Sequence, residues 1–267
     1  MPNSSENLSK KPVILCLSGH DPSGGAGIQA DIEVLQHFNC HACSIITCLT
    51  VQDSSTVKRL IPLNGEDIVE QAAVLFKDMP IAAIKIGLTG SIAAIDAIRR
   101  ILALQPNIPV IFDPVLASGD GTSLANHELI NAIVRQLLPL TTVLTPNTVE
   151  AAQLSGLPNN STPEQLGLAL LHQGVEYLLL TGGHSPGSVL SNHLFNKNNK
   201  LASYEWQRQA GDFHGTGCTL ASAIAALIAN NHTIPEAIDL AQHYVDQTIR
   251  QAQQLGKGQA FLHRSSL

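Results

Sequence analysis

A glycine-rich turn that opens an apolar helix carries the clearest chemical pattern of the chain. The turn holds Gly215, Thr216, Gly217 and Cys218, and small and apolar residues follow it. Glycines let successive backbone N–H groups point toward one place, and a helix N-terminus adds positive partial charge there. Such a site suits a phosphoryl group in transfer. The turn therefore predicts a catalytic anion-binding site, with a tight loop that caps a buried helix as the alternative.

Cys218 lies at the mouth of this turn, where a base or nucleophile has to stand. A free thiol has a pKa of about 8.5, and a helix N-terminus lowers it. We therefore expect a partly ionised, accessible thiol that takes a proton from the substrate. A packed, inert thiol is the alternative.

Two carboxylates follow apolar segments elsewhere in the chain. Asp113 stands directly before Pro114, and Glu150 lies just after the run from Thr145 to Asn147. Two carboxylates at one rim suit Mg²⁺, which keeps several water ligands and leaves room for nucleotide phosphates. The alternative is that Asp113 caps a turn and Glu150 starts a helix favourably.

The first glycine cluster, at 18–27, follows an apolar run and opens a helical pattern. It lacks the G-x-G-x-x-G spacing of dinucleotide-binding folds and the Gly-Lys-Ser/Thr of a P-loop. Asp21, beside Pro22, is well placed to hold a small polar substrate, and a turn with a helix cap is the alternative.

The elements that must position these residues alternate along the chain. Apolar runs at 13–17, 43–49, 81–86, 110–112, 143–144 and 177–180 predict strands, and the spacing at 28–38, 65–77, 91–104, 126–137 and 148–154 predicts helices. This order predicts an α/β fold of three layers, with a mostly parallel sheet covered on both faces. A small or polar cluster follows each strand. Because ligands bind at the carboxyl ends of such strands, we expect all the candidate residues at one edge.

Composition limits the function classes. The chain has 267 residues, 44% of them hydrophobic and 13% charged, which suits a single domain over 12–267 behind a flexible N-terminal arm at 1–11. The net charge of -6, without a basic run, argues against nucleic acid. Every apolar stretch is too short to span a bilayer. The first residues lack the apolar core of a signal peptide. Five cysteines, an odd number, favour a reducing cytoplasm, and Cys40 and Cys43 are interpreted as structural.

Two segments together resemble the ribokinase-like superfamily, and within it the hydroxymethylpyrimidine/phosphomethylpyrimidine kinases. Residues 19–31, Gly-His-Asp-Pro-Ser-Gly-Gly-Ala-Gly-Ile-Gln-Ala-Asp, resemble the opening signature of that family. Residues 215–219, Gly-Thr-Gly-Cys-Thr, resemble its anion-hole motif, in which most other superfamily members carry Asp instead of Cys. The resemblance extends from about 13 to 263. It implies ATP-dependent phosphorylation of hydroxymethylpyrimidine, of its monophosphate, or of both, and a homodimer.

The resemblance also implies roles for individual residues. Substrate contacts are implied at Gly19, Asp21, Gln52, Gly87, Leu88 and Val115. ATP contacts are implied at Asn147, Thr181, Gly182, Gly183 and Gly217, and Asp113 and Glu150 match the metal and phosphate region.

The chain departs from the family pattern at several places. Thr181 stands where a Lys usually precedes Gly-Gly-His, and the run at 116–119 is shorter and has no Lys. Leu88 replaces a Met and Asp53 an Asn. Two cations that would offset triphosphate charge are therefore absent. A pyridoxal-type vitamin kinase, for which Asp would be expected at 218, and a non-catalytic pyrimidine-binding regulator remain as alternatives.

Overall fold

A computed structural model describes residues 11–119, 121–183, 187–197 and 199–264. Of the N-terminal arm expected over 1–11, residues 1–10 lie outside the described part. Within the described ranges, no helix is both long and apolar enough to cross a membrane.

Nine of the strands in the described part form one sheet, in the order β3-β2-β1-β4-β5-β6-β7-β8-β9. The strands are β1 Val13–His20, β2 His41–Gln52, β3 Val57–Pro62, β4 Ile81–Ile86, β5 Val110–Phe112, β6 Val143–Leu144, β7 Tyr177–Leu180, β8 Val189–Asn196 and β9 Lys200–Gln207. The six strands from β2 to β7 in this order run parallel. Strands β3, β8 and β9 add antiparallel pairs at the two edges. The mostly parallel sheet predicted from the sequence is confirmed.

Helices cover both faces of the sheet. They are α1 Gly27–His37, α2 Gly65–Asp78, α3 Ile92–Leu104, α4 His127–Gln136, α5 Thr148–Ser155, α6 Pro163–His172, α7 Thr216–Ala229 and α8 Ile234–Arg250. One apolar cluster joins α1, α7 and α8 to the sheet, and a second joins α2 to α6 to the opposite face. These clusters make the three layers, and they place the carboxyl ends of the parallel strands at one edge.

Helix α7 begins differently from most of the others. Side chains cap the N-termini of α2, α3, α4, α5 and α6 through hydrogen bonds to backbone N–H groups. Helix α7 instead starts after Gly215, whose φ of 80° lies in the left-handed region, and no side-chain hydrogen bond caps it. The first N–H groups of α7 therefore remain available to a ligand.

A second, two-stranded sheet leads into this helix. Strand β10, Phe213–His214, pairs in parallel with β11, Ala260–Phe261, near the end of the chain. The sequence analysis did not predict it, because two-residue strands show no measurable periodicity.

Candidate active site

The loop after β1 is built around the carboxylate of Asp21. Oδ1 accepts hydrogen bonds from the Ser23 backbone N–H at 2.8 Å and from the Ser23 hydroxyl at 2.7 Å. Oδ2 accepts from the Ala26 N–H at 2.8 Å and lies 2.8 Å from Nε2 of His214. Both oxygens are thus engaged within the protein, so Asp21 shapes the loop that begins the candidate substrate site.

The same hydrogen bonds determine the charge of Asp21. Burial alone would raise its pKa, but the hydrogen bonds from His214 and Ser23 outweigh burial and hold the pKa well below its usual range. The carboxylate is therefore ionised at neutral pH.

Gln52, at the end of β2, reaches the same place. Its Nε2 lies 3.4 Å from Nε2 of His214, so Asp21 and Gln52 meet around this imidazole. Asp21 and Gln52 were predicted from the sequence to lie at one edge of the sheet, whereas His214 was not predicted as a site residue. Its position directly before Gly215 was the available signal.

The other predicted substrate residues lie at the ends of neighbouring strands. A Cβ on Gly19 would lie 3.1 Å from Leu88 Cδ2, which shows that the two residues are in contact. The Gly87 N–H donates to the Leu17 carbonyl at 2.9 Å, and the Val115 N–H donates to the Asp113 carbonyl at 2.9 Å. The expected edge therefore runs continuously from β1 across β4 to β5.

The turn at the start of α7 packs tightly against its neighbours. A Cβ on Gly215 would overlap the Gly25 carbonyl oxygen, and a Cβ on Gly217 would lie 3.3 Å from both carboxylate oxygens of Asp113. Gly215 needs both its positive φ and the missing side chain, and at Gly217 a side chain would fit only if Asp113 shifted slightly. The uncapped helix end, which begins at Thr216, and the buried Asp113 carboxylate thus face each other.

Asp113 and Glu150 form a buried acidic pair. None of the described residues donates a hydrogen bond to Asp113 Oδ2, although the Cys218 thiol and the charge of Lys85 act on the same carboxylate. Burial, reinforced by the charge of Asp113, raises the pKa of Glu150 to about 8, although its carboxylate accepts a 2.9 Å hydrogen bond from the Asn147 N–H. An unpartnered oxygen beside a second buried carboxylate fits a cation. The described residues contain no group of three or more His, Cys, Asp or Glu that could hold a metal ion, so further ligands would have to come from water and phosphates.

The environment of Cys218 contradicts one expectation from the sequence. The residue is only 8% exposed, and burial raises the pKa of its thiol to about 12 despite the opposing charge of Lys85. The expected accessible and partly ionised thiol is wrong, because desolvation disfavours a thiolate more than the helix end favours it.

Four of the five predicted nucleotide residues lie at the ends of β6 and β7, and the fifth, Gly217, lies in the first turn of α7. Asn147 and Thr181 form a parallel bridge, and the Asn147 side chain caps α5. The Gly182 N–H donates to the Asn192 side chain at 2.9 Å, and a Cβ added at Gly183 would meet no atom of the described residues within 4 Å.

Two cations were not predicted from the sequence: Arg208 beside the loop after β7, and Lys85 beneath the start of α7. Arg208, at the end of β9, donates to the Gly183 carbonyl at 2.9 Å. Lys85 is fully buried in β4 and lies 2.7 Å from Asp31. A lysine within a strand predicted to be buried was a usable signal, because such a charge needs a partner.

Comparison with known proteins agrees with this geometry. The phosphomethylpyrimidine kinase family model matches residues 21–263. The hydroxymethylpyrimidine/phosphomethylpyrimidine kinase of Mycobacterium bovis is 35% identical over 253 residues, covering 92% of this chain and 91% of that protein. A solved phosphomethylpyrimidine kinase from Clostridium difficile 630 has a TM-score of 0.78 at 31% identity, covering 90% of this chain and 100% of that one.

A vitamin kinase has a similar fold. The pyridoxal kinase of Bacillus subtilis, solved as an ADP complex, has a TM-score of 0.86 at 26% identity and covers 95% of this chain and 97% of that one. The resemblance inferred from the residues at 19–31 and 215–219 is confirmed, as is the ribokinase-like fold. The match over 21–263, together with the identity to the Mycobacterium bovis kinase, shows that the chain belongs to the phosphomethylpyrimidine kinase family.

Proposed function

We propose that the chain transfers a phosphoryl group from ATP to hydroxymethylpyrimidine, to its monophosphate, or to both, in thiamine biosynthesis. The observation that carries this proposal is the uncapped start of α7, where Gly217 faces the buried carboxylate of Asp113. The names of the relatives supply the substrate class.

Substrate and nucleotide occupy neighbouring parts of the sheet edge in this proposal. The pyrimidine lies against the ends of β1, β2, β4 and β5, and ATP lies against the ends of β6 and β7. The substrate residues are Gly19, Asp21, Gln52, Gly87, Leu88 and Val115, and the ATP residues are Asn147, Thr181, Gly182, Gly183 and Gly217. Catalysis is then mainly positioning and charge neutralisation.

The turn at 215–218 provides the charge stabilisation. Backbone N–H groups of this turn hold the charge that develops on the transferred phosphoryl group. Cys218 is the proposed acceptor of the proton of the free alcohol. It can act so only as a thiolate, after its own proton has left to solvent, and the charge of Lys85 favours that form against burial. The phosphorylated substrate attacks through an oxygen that is already anionic, so it needs no base.

Asp113 and Glu150 are the residues that would hold Mg²⁺. The unpartnered Asp113 Oδ2 supports this assignment. When bound, the ion neutralises charge on the ATP phosphates. The protein contributes the two carboxylates and keeps them apart from bulk water, since Asp113 is 5% exposed and Glu150 8% exposed.

A coupled assay of ADP release tests the proposal directly. We expect turnover with hydroxymethylpyrimidine, its monophosphate, or both, at kcat/KM well above that for pyridoxal. Preferential turnover of pyridoxal would favour the vitamin-kinase alternative, which the TM-score of 0.86 to the Bacillus subtilis enzyme supports. Calorimetric binding of the pyrimidine without ADP release from any substrate would favour the non-catalytic regulator.

We also propose a homodimer in a reducing cytoplasm. All five cysteines are free, which supports the compartment. The homodimer is proposed from the family resemblance. Light scattering on the purified protein measures its molar mass and thereby tests the proposal.

A further inference from the structure

Arg264 sits under the catalytic turn with its guanidinium almost fully buried, at 1% side-chain exposure. Nε donates to the Thr219 hydroxyl at 2.9 Å, and Nη1 donates to the Glu33 carboxylate at 3.1 Å. Nη2 donates to the Gly25 carbonyl and, at 3.4 Å, to the His214 carbonyl. One side chain near the end of the chain therefore binds three separate segments: the loop after β1, α1, and the start of α7.

The contacts of Arg264 enclose the anion-binding turn. His214 precedes Gly215, and Thr219 follows the turn and donates its hydroxyl to the Gly215 carbonyl at 2.7 Å. A Cβ on Gly215 would lie 2.7 Å from Nη2 of Arg264. The guanidinium thus fixes the turn from both sides and places a positive charge beside the helix N-terminus.

The contact with Gly25 extends this control to the substrate loop. A Cβ on Gly25 would overlap the His214 ring, so the loop and the turn are already in direct contact. Asp21 spans the same contact through the Ala26 N–H and the His214 ring. Loss of the guanidinium would leave the Gly25 carbonyl and the Thr219 hydroxyl without this shared donor, and the two segments would be free to separate.

The main chain at Arg264 has its own anchor. The Tyr244 hydroxyl donates to the Arg264 carbonyl at 3.0 Å, and the Tyr244 ring packs against Phe38 with centroids 5.0 Å apart. Because this anchor does not involve the guanidinium, the side chain is available for a role other than fastening the end of the chain.

We propose that Arg264 is a positioning residue for phosphoryl transfer, which holds the substrate loop and the anion-binding turn in register. This inference rests on the proposed kinase function. Its planar fork reaches acceptors in several directions at once, which a lysine ammonium on a flexible stem does not reproduce.

The effect on catalysis should appear in turnover. A displacement of about 1 Å at a reacting centre costs on the order of 10²-fold in rate, so we expect Arg264→Ala to lower kcat about 10²-fold. KM for ATP should change little, because Asn147, Thr181 and Gly182 lie at the ends of β6 and β7, away from Arg264. KM for the pyrimidine should rise, because Asp21 belongs to the loop that Arg264 holds. The kcat of Arg264→Lys should lie between that of Arg264→Ala and that of the wild type.

Chemical rescue separates positioning from general stability. Guanidinium, at concentrations well below those that unfold the wild type, should restore kcat of Arg264→Ala in a saturable way, whereas urea should not. Arg250→Ala is the matched control, since Arg250 forms only a surface ion pair with Asp246. A kcat of Arg264→Ala equal to that of the control, or an equal lack of rescue by guanidinium and urea, would overturn the proposal.

A variant that does not fold, or a wild type without kinase activity, calls for a different measurement. If Arg264→Ala does not fold, Arg264→Lys serves as the test, and an unchanged kcat in that variant would overturn the proposal. If the wild type releases no ADP, the kinase function fails, and hydrogen exchange of the amides at 215–218 then tests Arg264. Exchange faster than in Arg250→Ala supports positioning of the turn, and equal exchange rejects it.

Discussion

Nζ of Lys85 lies 2.7 Å from Oδ1 of Asp31, and neither side chain has any exposed surface. The Ser18 and Ser222 hydroxyls donate to the same carboxylate at 2.6 and 2.7 Å. The pair therefore joins β1, α1, β4 and α7 behind the candidate site, with every partner satisfied. A buried charge with such partners is stabilised, but removal of its partner leaves it unpaired and lowers the free energy of unfolding.

Removing one partner should therefore destabilise the protein strongly. We expect Lys85→Met to lower the free energy of unfolding by about 3–5 kcal/mol, because Asp31 is left as an unpaired buried charge. Denaturant unfolding followed by circular dichroism measures this. Arg99→Ala, which breaks an exposed ion pair with Asp96, should cost about 0–1 kcal/mol. Similar losses in the two variants would contradict the prediction.

Glu150→Gln tests the proposed metal site. Glutamine preserves the capping role at the start of α5 but cannot ionise to bind the ion, so the Mg²⁺ concentration for half-maximal activity should rise and kcat should fall. The melting temperature should stay nearly constant. Glu236→Gln makes the same change in the exposed capping box of α8 and should leave the Mg²⁺ dependence unchanged. An unaltered Mg²⁺ requirement in Glu150→Gln would leave Glu150 as a helix cap alone.

Cys218 should behave as a protonated, buried thiol in the free protein. Burial raises its pKa to about 12 and also raises the pKa of the other four cysteines, so neutral alkylation should not select Cys218. Mass spectrometry of iodoacetamide-treated protein measures this. Rapid, selective labelling of Cys218 would show that the site opens in solution.

The catalytic role of Cys218 is tested separately. If Cys218 is the base, its replacement by Ala should lower kcat for the free alcohol about 10²–10⁴-fold. The loss with the phosphorylated substrate should be smaller. Cys218→Asp should restore part of the loss. Cys40→Ala is the control, because the Cys40 thiol contacts the Ala226 carbonyl near the C-terminal end of α7. Undiminished turnover of the alcohol by Cys218→Ala would leave the backbone N–H groups as the whole contribution of the turn.

Acid should weaken the contact between Asp21 and His214. Because the folded-state pKa of Asp21 is depressed below its ordinary value of 3.8, its contribution to stability is present above 3.8 and is lost as the pH falls toward the folded-state value. The stability difference between the wild type and Asp21→Asn should thus be largest near neutrality and shrink in acid. Thermal unfolding across this range measures it, and a constant difference would refute the linkage.

The sequence predicted what local patterns determine. Apolar runs and helical spacing located the parallel strands and helices α1 to α5, with bounds within a few residues of those observed. It did not predict β8 and β9, whose half-exposed side chains lack a continuous apolar run. The glycines at 215 and 217 indicated the turn correctly because their backbone requirement is local.

Contacts between distant residues were not predictable in the same way. Arg264 meets Gly25 across 239 positions, and His214 meets Asp21 across 193. No spacing in the chain marks these pairs. The prediction of a partly ionised Cys218 was wrong for a related reason. A sequence indicates where a helix begins, but the desolvation that raises the thiol pKa depends on the completed packing.

The pairing of β10 with β11 has a consequence for synthesis. All nine strands of the main sheet are encoded before residue 208, whereas the partner of His214 lies at Phe261. Since folding during synthesis proceeds from the N-terminus, the main sheet can form while the turn at 215–218 still lacks its contacts with β11 and Arg264. A nascent chain can therefore form its main sheet before the segment that pairs with β10 has been synthesised.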